Sequence, residues 1–173
     1  MNLFACAINN SISHNSKPDK LPNHLIRSSW EINGRIILQL EEDAMSAKLN
    51  WLQDDDLFKC TLSGPLGMDV VVFEGDNSGI HEITSDGNLS NLQRILEKNL
   101  PILDIKYWLL GIPNPRSIYR QITHNEDYVE FDQNNWKIKI NKYQRIDSYD
   151  LPKNIQIKNS AIRLKISIDK WRL

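Results

Sequence analysis

The chain reads as a mainly β domain, an antiparallel meander of about nine to eleven short strands with a helical insert. Three observations predict this class. From Trp30 onward apolar residues recur with period two, the signature of half-buried strands. Short clusters of Gly, Pro, Asn and Asp separate the runs. No rhythm of strands alternating with long helices points to a parallel sheet.

The elements follow in order. Trp30, Ile32, Gly34, Ile36, Leu38 and Leu40 alternate with Glu31, Asn33, Arg35 and Gln39, and Glu41-Glu42-Asp43 reads as a turn. Met45, Ala47, Leu49 and Trp51 share the next inward face. Asp54-Asp55-Asp56 makes an acidic corner before Phe58, Cys60 and Leu62, with Cys60 a small buried apolar residue. Gly64-Pro65-Leu66-Gly67 breaks the pattern ahead of the nearly continuous apolar run Met68 to Phe73. Two helices interrupt the β pattern. Leu89, Leu92, Leu96 and Leu100 lie at helical spacing before Pro101. A second helix, Leu103 to Leu110, carries Asp104 near its start and ends at Gly111. It is apolar nearly all round and is expected to be buried on more than one side. Strands resume at Tyr119 to Ile122 and Tyr128 to Phe131, then turn at Asn134-Asn135 into Trp136, Ile138 and Ile140. The parity slips near Asn141, where a bulge is expected. Ile155 and Ile157 pair with Ile162, Leu164, Ile166 and Ile168 across Asn159-Ser160.

Composition narrows the function. The 173 residues are 40% hydrophobic and 25% charged with a formal net charge of -1, ordinary for a soluble globular chain and far from the basic excess of a general nucleic-acid binder. Two cysteines are too few for a disulfide framework or a structural zinc site. No nucleophile elbow, phosphate-binding loop, dinucleotide fingerprint or paired-histidine zinc motif is present, so an enzyme is not expected, nor a metal or cofactor. The acidic corner lacks the glycine and distal glutamate of a calcium loop and reads as a solvated hairpin turn. Charge is uneven: from Gln133 onward ten Lys or Arg face three Asp or Glu, against eleven and nineteen before it. Two readings stand. Either the cations occupy the water-facing side of the last strands, or the molecule is dipolar, its basic end facing anionic lipid or steering a partner.

Residues 1–29 read as a lipobox-like segment and flexible tail, and 30–173 as a single domain. Leu3-Phe4-Ala5-Cys6 has the apolar, tolerant, small, cysteine order of a bacterial lipobox, with Cys6 the acylated position; the competing reading is a plain cysteine in a tail. A secretory signal places 7 to 15 apolar residues before the cut. Five residues precede Cys6, so the signal reads as truncated. Ala7 is compatible with sorting to the outer membrane.

The order of landmarks carries a resemblance. Trp30 with Asn33-Gly34-Arg35, Asn50-Trp51-Leu52-Gln53, Leu62-Ser63-Gly64-Pro65-Leu66-Gly67, Asn99-Leu100-Pro101-Ile102, Tyr107 to Pro113, Asn135-Trp136-Lys137-Ile138, Leu151-Pro152 and Arg163 to Trp171 together resemble the LolB family of outer-membrane lipoprotein receptors. That resemblance implies an open antiparallel half-barrel with helices lidding an apolar cavity. It implies acceptance of acylated lipoproteins from a periplasmic LolA-like carrier and their insertion into the outer membrane, without ATP, by a monomer lipid-anchored through Cys6 at the periplasmic face. Without a nucleotide, transfer runs forward only if the receptor holds acyl chains more tightly than the carrier does, and the bilayer more tightly still.

The expected cavity wall is Ile36, Leu38, Leu49, Trp51, Phe58, Leu62, Val70 and Val72, and the expected lid Leu92, Leu96, Trp108 and Leu109, with ordinary core as the alternative for each. In the family a protruding apolar residue engages the membrane, and Leu66, between Pro65 and Gly67, matches it; the alternative is a turn whose leucine folds back on the core. The competing function is a periplasmic half-barrel that binds a small apolar ligand and delivers nothing to membranes.

Overall fold

The computed structural model describes residues 23–40, 43–64, 67–86, 100–124 and 128–173. Among them, one antiparallel sheet holds ten strands: β1 (Trp30–Leu40), β2 (Asp43–Asp54), β3 (Leu57–Ser63), β4 (Val70–Asp76), β5 (Gly79–Asp86), β6 (Tyr119–His124), β7 (Val129–Gln133), β8 (Trp136–Ile146), β9 (Tyr149–Lys158) and β10 (Ile162–Arg172). Their order is β5-β4-β3-β2-β1-β10-β9-β8-β7-β6. The chain therefore makes two five-stranded meanders, and the first and last strands join them along the middle. Among the described residues one α-helix, α1 (Ile102–Leu109), lies between the meanders in sequence. The predicted helix around Leu92 and Leu96 falls outside the described residues.

The period-two pattern does what it should. In β1 Trp30, Ile32, Ile36 and Leu38 are buried while Arg35, Ile37 and Gln39 are exposed. The same face continues through Leu49 and Trp51, Phe58, Cys60 and Leu62, Val71 and Phe73 on one wing, and Ile138, Ile155, Ile157, Leu164 and Ile166 on the other. Asn134 and Asn135 both take positive φ, at 51° and 64°, which is the two-residue turn whose twist matches antiparallel strands. The parity slip near Asn141 is a bulge: the β8–β9 register shifts between Ile140 and Lys142. A second irregularity lies at Asn33/Gly34, where β1 and β10 run so close that a Cβ on Gly34 would sit 2.2 Å from the Ser167 carbonyl oxygen. Only glycine permits that approach.

The sheet has two edges, β5 and β6, so it is not closed. It is strongly curved. β5 and β9 stand six strand spacings apart, about 29 Å if the sheet were flat. Yet α1, eight residues and about 12 Å long, lies against both. One short helix reaches both strands only if the sheet wraps around it.

The packed chain begins before the expected boundary at Trp30. A 3-10 turn, Asn23–Arg27, buries Leu25 to 4% exposure, and its carbonyl accepts the Trp30 indole N–H at 3.0 Å. Sequence periodicity could not reveal this, because a single apolar side chain has no period.

Candidate functional site

α1 is fastened by polar groups of its own. It ends in a Schellman turn: Gly111 takes φ +81°, its N–H donates to Trp108 O at 3.0 Å, and Ile112 N–H donates to Tyr107 O at 3.1 Å. From Asp104 to Leu110 every side chain is buried, as expected of a helix apolar nearly all round. Two of these buried groups are charged, and they point to opposite wings. The Asp104 carboxylate accepts from Asn114 Nδ2 at 2.6 Å and from Asn134 Nδ2, in the β7–β8 turn, at 2.8 Å. Lys106 Nζ donates to Asn77 Oδ1, in the β4–β5 turn, at 2.9 Å and lies 3.9 Å from Asp56. Burial lowers the Lys106 pKa, with Asp56 acting against the shift. The acidic corner is thus a hairpin turn, and its Asp56 both accepts from Asn77 and faces the lysine.

A third tie holds the end of the helix. Gln133, buried in β7, accepts from Trp108 Nε1 at 3.0 Å and from Asn114 N–H at 2.8 Å, and donates to Asn114 O at 2.8 Å and Ser117 O at 3.1 Å. Nothing in the sequence pattern marked Asp104, Lys106, Asn114 or Gln133 as a group. Asp104 alone carried a signal, as an acidic residue in a first helical turn.

Between α1 and the first wing lies an apolar hollow. Its sheet side is Ile36, Leu49, Trp51, Cys60, Leu62, Phe73 and Ile80 with Leu164 and Ile166; its helix side is Leu100, Ile102, Ile105 and Leu109. Among the described residues, no polar side chain lines it. Its volume is about 40 Å³, room for no more than a few water molecules. In this conformation the helix fills the hollow. Burial also pushes the Cys60 thiol up to about 12, so it behaves as a small apolar side chain there.

The structure sorts the expected wall and lid residues. Ile36, Leu49, Trp51, Leu62 and Leu109 meet around the hollow. Leu38, Phe58 and Trp108 are buried but lie behind it: Phe58 stacks on Trp51 with ring centroids 5.1 Å apart, and Trp108 turns to the other wing, 6.4 Å from Trp136. Val70 and Val72, expected in the wall, do not belong to it. Leu62 pairs with Val71 and Cys60 with Phe73, so Val71 and Phe73 face inward while Val70 and Val72 take the opposite side. All four positions of the run are apolar, so period two is invisible in it. Sequence reasoning missed Cys60, Phe73, Ile80, Leu100, Ile102, Ile105, Leu164 and Ile166 as lining residues. Cys6, Pro65, Leu66, Leu92 and Leu96 lie outside the described residues. Gly67 is exposed with φ +77°.

A single curved, unclosed antiparallel sheet wrapped around a helix, with an apolar hollow between them, defines an open β-barrel with a helical plug. The chain belongs to the LolB family: the family model described as "Outer membrane lipoprotein LolB" matches residues 28–171. The outer-membrane lipoprotein LolB of Francisella tularensis subsp. tularensis (strain WY96-3418) is 31% identical over 161 residues, covering 87% of this chain and 77% of that one. The corresponding protein of Pseudomonas fluorescens (strain Pf-5) is 30% identical over 152 residues, covering 82% and 73%. That of a Marinomonas species (strain MWYL1) is 24% identical over 155 residues, covering 84% and 81%.

Proposed function

We propose that this protein is an outer-membrane lipoprotein receptor that takes acyl chains from a periplasmic LolA-like carrier into the hollow beneath α1 and releases them into the bilayer without ATP. The observation that carries the reading is the apolar seam between α1 and the strands β1–β5 and β10, in which every described lining side chain is hydrocarbon, aromatic or a neutral thiol. Such a surface holds an acyl chain by burial alone and imposes no direction on it. With about 40 Å³ open, loading requires α1 to move. The exchange is nearly balanced, because Ile102, Ile105 and Leu109 leave apolar contacts that the incoming chain restores, each buried methylene contributing about 0.8 kcal/mol. The polar ties at Asp104, Lys106 and Gln133 then set the helix's resting position.

In this reading the segment ahead of the Asn23–Arg27 turn forms the tether, acylated at Cys6, and the chain from that turn onward the carrying domain, acting as a monomer. The Leu66 side chain enters the bilayer from the Pro65-Leu66-Gly67 loop and contributes about 1.5–3 kcal/mol, enough to bias docking and too little to anchor. The test is transfer of a fluorescently labelled lipoprotein from its carrier to liposomes, with and without this protein. Faster transfer supports the proposal, and a rate unchanged by the protein refutes it.

A further inference from the structure

The outer face of the sheet carries an arrangement that β-sheets ordinarily avoid. Like charges stand directly opposite one another across neighbouring strands: Arg35 opposite Lys48, and Arg163 opposite Lys158. Directly opposed like charges destabilise an antiparallel pair. All four side chains are exposed. Arg35 has a partial partner in Asp169 at 3.3 Å, an exposed pair of little energetic weight. Lys48, Lys158, Arg163 and Lys165 take part in none of the ion pairs among the described residues. Lys165 lies in the same band, opposite Ile37. Between these strands the sheet's twist leaves a groove of about 570 Å³, lined by Arg35, Ile37, Lys48 and Lys165 with the amides of Asn154 and Gln156.

We propose that this face, centred on Arg35, Lys48 and Lys165, seats the domain on the phosphate groups of anionic phospholipids. The proposal rests on the receptor reading above and adds to it the surface that meets the membrane. The repulsion among these cations is relieved by several phosphates at once. The band extends from β2 across β1 and β10 to β9, about 14 Å wide, which suits a lattice of headgroups better than one small anion. Ile37, 46% exposed amid the cations, is placed to reach the boundary below the phosphates. The groove also touches Gly64, directly after the β3 residue Ser63 that pairs with Lys48, so the basic band adjoins the loop assigned to insertion.

The test uses the full chain with Cys6→Ser, which removes any acyl anchor, and vesicles of phosphatidylethanolamine with or without phosphatidylglycerol. Cosedimentation is expected only with the anionic vesicles and is expected to weaken as salt rises. K48Q/K165Q is expected to weaken it about thirtyfold, at about fivefold per cation removed. Equal binding to both vesicle types overturns the proposal, as does undiminished binding by K48Q/K165Q, which would leave the basic face to an acidic protein partner. Lipoprotein transfer by the unsubstituted protein is measured alongside. Failure of the headgroup proposal leaves that transfer intact, whereas failure of the receptor reading abolishes it whatever the vesicles bind.

Discussion

Replacing Gln133 by leucine tests whether the helix is held by hydrogen bonds rather than by apolar contact alone. The volume is nearly kept, so the substitution isolates the polar contribution. Gln133 is 2% exposed and serves the Trp108 indole N–H and both the N–H and C=O of Asn114, which is itself 6% exposed. Leucine leaves the Trp108 and Asn114 N–H groups buried without partners, at about 1–3 kcal/mol each, while the Asn114 carbonyl keeps the Ser117 N–H at 3.2 Å. Allowing for partial relaxation, we expect a loss of about 2–5 kcal/mol, a large part of the 5–15 kcal/mol typical of a domain. With a urea dependence of about 2 kcal/mol per molar, the unfolding midpoint falls by about 1–2.5 M. Equilibrium urea unfolding followed by tryptophan fluorescence reads this directly, since Trp108 is one of five tryptophans. A loss below about 1 kcal/mol would show that the bonds are readily replaced, and the argument that Gln133 fixes the end of α1 would fail.

Four further outcomes are expected. Lys106→Met should leave stability within about 1 kcal/mol of the unsubstituted protein, because the removed desolvation cost offsets the lost bond to Asn77. In the unsubstituted protein Lys106 binds its proton less tightly folded than unfolded, so stability rises as pH climbs toward the ordinary value of 10.5, and K106M should flatten that slope in urea titrations. Glu31 accepts from Arg172, Asn33 and Asn50, which together hold its pKa below the ordinary 4.5. The stability it adds is therefore complete above pH 4.5 and lost as pH falls through the lowered value; Glu31→Gln should flatten that acid limb of a pH-dependent melting series. Cys60, with its thiol pushed up to about 12, should resist a thiol reagent at neutral pH in C6S protein and react fully in urea; prompt labelling of the folded protein would show the hollow open. Leu66→Glu should keep folding and cargo uptake yet lose delivery to liposomes, and normal delivery would remove the loop from the mechanism.

What this sequence determined alone is the sheet and the side of it that faces inward. Trp30 to Leu40 and Trp136 to Ile140 alternate so regularly that only one register buries their apolar set, because a slip of one residue would turn every side chain outward. Asn134-Asn135 and Gly111 announced a turn and a helix end through chemistry local to each. Hydropathy could not decide Val70 to Phe73, where four apolar residues erase the alternation and the pairing of Val71 with Leu62 made the choice. Nor could it show that Leu49 borders a hollow while Leu38 and Phe58 lie packed behind it, since all three are inward-facing. That difference depends on where α1 sits inside the curve of the sheet. The helix seat in turn depends on Asp104 meeting Asn134, Lys106 meeting Asn77 and Gln133 meeting Trp108, partners 25 to 30 residues apart. A local pattern carries no record of such meetings, because they arise only after the two meanders have joined along β1 and β10 and brought their turns to one helix.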